Sequence, residues 1–115
     1  AVAAAAETGA AFAELQRQAG TNWESSVTKQ GDWAITRRET HKEDSMSVST
    51  SLYYLRGGQP CCVRQARWRE HDTMRGGNDG SKLTFGGPGE LLEIQFEGER
   101  DHLRLADLKP KAATK

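Results

Sequence analysis

Residues 45–55, SMSVSTSLYYL, decide how this chain is read. Met46, Val48, Thr50, Leu52 and Tyr54 fall on one side of an extended backbone, and Ser47, Ser49, Ser51 and Tyr53 on the other, because side chains alternate along a strand. A period of two with serines on one face predicts a strand that is buried on one side and wet on the other. That is the pattern of an antiparallel sheet.

The same period extends in both directions. Upstream, NWESSVTK (22–29) sets Trp23, Ser25 and Val27 against Glu24, Ser26 and Thr28. GDW supplies a turn, after which Trp33, Ile35 and Arg37 alternate with Ala34 and Thr36, so a hairpin is expected. RRETHKEDS (37–45) reads as a charged connection. Downstream, RGGQP (56–60) turns the chain and CCVRQARWRE (61–70) pairs back, with Cys62, Arg64, Ala66 and Trp68 opposing Cys61, Val63, Gln65 and Arg67. DTMRGGNDGS (72–81) reads as a long loop, KLTF (82–85) as a short strand and GGPGE (86–90) as a turn. LLEIQFEG puts Leu92, Ile94 and Phe96 on one face, ERD (99–101) turns again, and HLRLADL (102–108) closes the series. A helix over 90–108 is the competing reading; Gly98 and the strict Leu92-Ile94-Phe96 alternation favour strands. Ahead of the sheet, ETGAAFAELQRQAG (7–20) predicts one short helix, with Ala11, Phe12, Leu15 and Ala19 at helical spacing and Gly20 as its stop.

These elements predict a single mainly β (α+β) domain over 1–115. A short N-terminal helix precedes a six- to seven-stranded antiparallel meander, curled or closed into a small barrel, and the helix lies across one face or plugs one end. Residues 1–8 and 109–115 are expected to be loose termini. The Ala-rich start, AVAAAAETGA, is alternatively the remnant of a removed targeting peptide. At 36% hydrophobic residues the core should be small and one sheet face polar. Lys plus Arg equals Asp plus Glu at 16 each, which removes any global pull on nucleic acid or anionic membrane and leaves room only for a local patch. No apolar run is long enough for a membrane-spanning helix.

Cys61 and Cys62 are the chain's only cysteines. Metal claws space their ligands more widely and need a second pair, and neighbours on a strand face opposite ways, so no metal or other cofactor is expected. A disulfide between them is strained, because a trans peptide holds adjacent Cα atoms about 3.8 Å apart, below the usual minimum of about 4.4 Å. Two independent thiols are expected, one packing the core and one towards the open face. Such thiols fit a reducing intracellular or organellar compartment better than secretion.

His41, His71 and His102 lie far apart in sequence, and no catalytic triad is legible. Glu70, His71 and Asp72 form the one candidate functional cluster, placed before a glycine-rich loop. Isolated RGG at 56–58 and 75–77 reads as Arg followed by turn glycines. Arg64, Arg67 and Arg69 with Trp68 among them have the basic-plus-aromatic make-up of a binding face, and Arg37, Arg38 and Lys42 come near it in a meander; Tyr53 joins the candidate set.

The stretch GDWAITRRETHKEDSMSVSTSL (31–52) resembles the paired strands of the mitochondrial glycoprotein family, the trimeric acidic matrix proteins. There an apolar strand ending in Arg meets a charged turn with Glu and then a Val-centred strand; Ile35, Arg37, Glu43 and Val48 are the matching residues. Asp72 and GGP at 86–88 fall near an Asp and a Gly-Pro of that family, and a helix precedes the sheet in both. This chain differs in its zero net charge, in the place of its cysteines, and in a C-terminal third of strands where the family has long helices that build the trimer. The resemblance implies a mitochondrial matrix protein that binds RNA or protein partners without catalysis.

The functional expectation is a non-enzymatic binding or assembly module that presents a polar sheet face and Gly-rich loops to a protein partner or to further copies of itself. RNA is the alternative partner on that face. A carrier of a small apolar ligand is the second class, with Trp33, Val48, Leu52, Phe85, Ile94 and Phe96 lining a barrel. An enzyme built on His71 with Glu70 or Asp72 ranks last.

Overall fold

The computed structural model describes residues 2–20, 24–43, 45–71, 78–86, 91–96 and 98–110; for 2–5, 71, 78 and 79 it describes the backbone alone. Helix α1 (Val2–Ala19) precedes β1 (Ser25–Gln30), β2 (Trp33–Lys42), β3 (Ser45–Tyr54), β4 (Cys61–His71), β5 (Asn78–Phe85), β6 (Leu91–Phe96) and β7 (Glu99–Arg104), and a single helical turn, α2 (Leu105–Leu108), follows. The strands form one antiparallel sheet in chain order, β1 to β7, with β1 and β7 at its edges. The sheet is curled and not closed, so of the two shapes expected the barrel is not formed. Among the described residues no helix is long and apolar enough to cross a membrane.

Strand β3 forms as its alternation predicts. Val48, Thr50, Leu52 and Tyr54 are buried, while Ser47, Ser49, Ser51 and Tyr53 are half-buried on the other side. The adjoining pairings carry the two faces across the sheet. The inner face holds Ile35 opposite Leu52, Glu39 opposite Val48, and Val48 opposite Trp68. The outer face holds Arg38 opposite Ser49, and Ser49 opposite Arg67.

The curl begins where β4 meets β5. These strands pair over only three residues, Trp68 to Glu70 with Gly80 to Asn78. Gly80 lies at φ +90, in the left-handed region that favours glycine. A Cβ there would stand 2.0 Å from the carbonyl oxygen of Arg67. Beyond that kink β5 leaves its neighbour and folds over the inner face. The Leu83 amide donates a hydrogen bond of 3.0 Å to the Thr50 hydroxyl on β3, two strands away. A threonine therefore sits in the apolar row of β3 with its oxygen satisfied.

Trp33, Ile35, Leu52, Tyr54, Leu83, Leu92 and Leu105 make the main core between the two halves of the curl, with Val63, Ala66, Phe85, Ile94 and Leu103 packed against it. Of the six residues expected to line a barrel, Trp33, Leu52, Phe85 and Ile94 instead pack together here, Val48 is buried and Phe96 is 45% exposed. A second cluster holds the helix: Ala11 and Leu15 pack on Ala34 and Leu55, with Phe12, Val27 and Tyr53 around them. The Thr8 hydroxyl donates to the Asp32 carboxylate (3.1 Å), tying α1 to the β1–β2 turn. The helix thus lies across one end of the outer face.

Several boundaries differ from the sequence reading. The helix reaches back to Val2, over residues read as a loose start. RRETHK continues β2 and is not a connection, because backbone pairing with β3 persists to Lys42 and Ser45. Strand β5 begins at Asn78, inside the stretch read as a loop, and ERD belongs to β7 instead of a turn. LADL (105–108) is helical and buries Leu105. Near the start of β4 the register shifts, so that Leu52 faces Arg64 but Tyr53 faces Cys62. Val63 is the extra residue of this bulge. It moves Cys62 to the outer face with Gln65 and Arg67 and puts Cys61 opposite Tyr54. Both thiols are free and exposed, so neither packs the core as expected.

Candidate functional site

On strands β1–β4, alternation and register gather Lys29, Arg38, Lys42, Arg67 and Arg69 on the outer face, among Thr36, Thr40, Gln65 and the serines of β3. Arg38, Thr40, Lys42, Gln65, Arg67 and Arg69 are exposed. The described carboxylates of β2 and β4, Glu39 and Glu70, sit in register with Val48 and Met46 and therefore on the inner face. The outer face of these four strands thus carries cations and hydroxyls with no described carboxylate between them. No ion pair among the described residues engages Arg38, Lys42, Arg67 or Arg69.

The geometry is regular because the sheet makes it so. Arg38, Ser49 and Arg67 form one row across three strands, and Thr40, Ser47 and Arg69 the next. Cations on alternate strands stand about 9–10 Å apart, and successive rows about 7 Å apart. Two shallow grooves cross the surface. One, of about 220 Å³, lies between the C-terminal turns of α1 and the strands and is lined by Leu15, Gln18, Thr36, Arg38 and Tyr53. The other, also about 220 Å³, runs over Ser49, Ser51, Gln65 and Arg67. Tyr53 lies along this face beside Thr36 and Ser51, and burial pushes its phenol up.

The expected binding residues divide between the faces. Arg67, Arg69 and Tyr53 come together on the outer face, whereas Arg37, Arg64 and Trp68 face inward. Trp68 is 4% exposed, and the Lys82 ammonium covers its ring at 4.3 Å from the centroid. Of the cluster at 70–72, Glu70 is exposed on the inner side; the His71 side chain and Asp72 lie outside the described residues. So do residues 75–77 and 87–90 of the glycine-rich loops. Arg38, Lys42 and the hydroxyl columns are the members that a search for basic-aromatic mixtures underrates. Their signal is parity: the β2–β3 register sets Lys42 opposite Ser45 and Arg38 opposite Ser49.

Two charged clusters lie off this face. On the inner side, Glu39 accepts hydrogen bonds from Arg37 and, at 3.0 Å, from His41 Nε2. The Arg37 guanidinium, followed by His41, holds the Glu39 carboxyl below the ordinary glutamate value of 4.5. Folding thus favours its ionised form. The stability it contributes is present above the unfolded carboxylate value and is lost as pH falls through the lowered folded one. Glu39→Gln is expected to flatten the acid limb of a thermal-melt series below about pH 4.5. An unchanged acid limb would contradict that linkage. On the far side of β5–β7, Thr84 donates to Glu93 (3.3 Å), and His102 Nε2 lies 3.3 Å from the same carboxylate. Among the described residues no group of three or more His, Cys, Asp and Glu side chains could hold a metal ion.

No family model, curated protein or solved structure matches this chain.

Proposed function

We propose that the protein is a non-catalytic binding module whose outer β1–β4 face takes an acidic segment of a protein partner. The observation that carries this reading is the segregation of charge. A chain of zero net charge places Arg38, Lys42, Arg67 and Arg69 together on a surface free of described carboxylates, while Glu39 and Glu70 of the same strands lie on the inner face. Rows of hydroxyls between the cations offer donors to carboxylates and to an extended backbone. Among the described residues this face lacks the exposed aromatic platforms on which single-stranded nucleic acid stacks, since Trp68 turns inward and Tyr53 packs beside the helix. That favours carboxylates over bases. A matrix location with RNA as ligand, which the likeness of residues 31–52 to the mitochondrial glycoprotein family implies, is the reading to set against this one.

The test is a fluorescence-anisotropy titration with a labelled Glu-rich peptide and, in parallel, a labelled single-stranded RNA. The peptide should bind, more weakly as salt rises. Arg67→Glu with Arg69→Glu should weaken it about tenfold or more, while stability changes by less than about 1 kcal/mol because both positions are exposed. Binding of RNA but not peptide, or an affinity untouched by the double reversal, would overturn the assignment.

A further inference from the structure

The bulge at Val63 gives the two adjacent thiols different surroundings. Cys62 lies on the outer face beside Tyr53, and its thiol donates to the Arg64 carbonyl (3.8 Å). Desolvation pushes the Cys62 thiol up, which lowers its share of nucleophilic thiolate. Cys61 lies on the other side, opposite Tyr54, on the wall of an open cavity of about 470 Å³. Arg56, Lys109 and Glu7 line the same cavity. A thiol is thereby set among two cations and one carboxylate, in a space large enough for a tripeptide-sized ligand.

That charge pattern complements a glutathione half, which carries two carboxylates and one ammonium. We propose that Cys61 is a site of reversible S-thiolation by a small anionic disulfide of the glutathione class, with Cys62 remaining a free thiol beside it. The Cys61 thiolate attacks one sulfur of the disulfide. That S–S bond breaks, a new one forms to Cys61, and the departing half leaves as a thiolate that takes up the proton Cys61 gave. The disulfide itself is the oxidant, and an excess of free thiol reverses the step. Cys62 does not displace the adduct. Its thiol points to the opposite face, and closing an adjacent pair would require a Cα separation of at least about 4.4 Å where a trans peptide holds about 3.8 Å.

The experiment exposes the full chain to oxidised glutathione and locates adducts by fragment-ion mass spectrometry. One glutathione per chain, on Cys61, is expected. Cys62→Ser should keep the rate within about twofold, and Cys61→Ser should slow it more than about tenfold. Arg56→Gln with Lys109→Gln should slow reaction with oxidised glutathione but not with the uncharged hydroxyethyl disulfide, which separates recognition in the cavity from simple exposure. Adducts first on Cys62, equal reaction at both thiols, a Cys61–Cys62 disulfide, or equal effects of the charge changes on both reagents would overturn the proposal.

Discussion

Gly80→Ala is expected to cost more than about 3 kcal/mol of folding stability, a large share of what a domain this size holds. Two effects add. The position has φ +90, where an L side chain is strained, and the new methyl would stand 2.0 Å from a backbone oxygen of the adjoining strand. Backbone cannot swing aside as a long side chain does, so β4 and β5 must part at the pairing that starts the curl. Two controls isolate the cause. Gly98 has φ +86 with nothing within 4 Å of where a methyl would stand, so Gly98→Ala should cost only about 1 kcal/mol of backbone strain. Gly9 lies exposed in α1 with open space around it, and Gly9→Ala should stabilise by about 0.5–1 kcal/mol. Urea unfolding of the three variants gives the order directly; equal midpoints for Gly80→Ala and Gly98→Ala would contradict the kink.

Leu52→Ala is the second large effect, at about 2–5 kcal/mol. Leu52 is fully buried near the C-terminal end of β3, in the cluster where β2 and β3 meet Leu83 and Leu92 of the overlying strands. Close packing from both halves of the curl leaves little freedom to collapse around the lost methyls, which puts the cost above transfer alone. Leu91→Ala, at a position 37% exposed, should cost less than about 1 kcal/mol in the same assay. Similar losses for the two leucines would mean that the inner face is not the main core.

These residues also show which parts of the fold are legible in the sequence. Alternation in 45–55 assigns both faces of β3 correctly, since hydrophobic and hydroxyl side chains there differ sharply and the strand is paired on both sides. Alternation fails to mark the second half of β2, where Arg37, Glu39 and His41 take inward positions as a hydrogen-bonded set and no apolar period remains. The start of β5 is hidden because Asn-Asp-Gly is turn chemistry, yet here Gly80 supplies the kink of a strand. The Val63 bulge has no local signature, and it alone reverses the facing of the two cysteines.

The binding face is half legible. Arg67 and Arg69 are identified by composition, but grouping Trp68 with them follows sequence adjacency, whereas a period of two sends neighbours to opposite sides. Once parity is applied, Arg38 and the serines of β3 join the arginines and the tryptophan leaves. What no single strand reveals is the absence of described carboxylates across four of them; that is a property of register.

A backbone amide map of the protein titrated with a Glu-rich peptide tests the binding assignment most directly. Shifts confined to the amides of Arg38, Thr40, Ser47, Ser49, Gln65, Arg67 and Arg69, fading as salt is added, are the predicted result. Shifts centred on β6 and β7, or a spectrum that does not move at all, would contradict it.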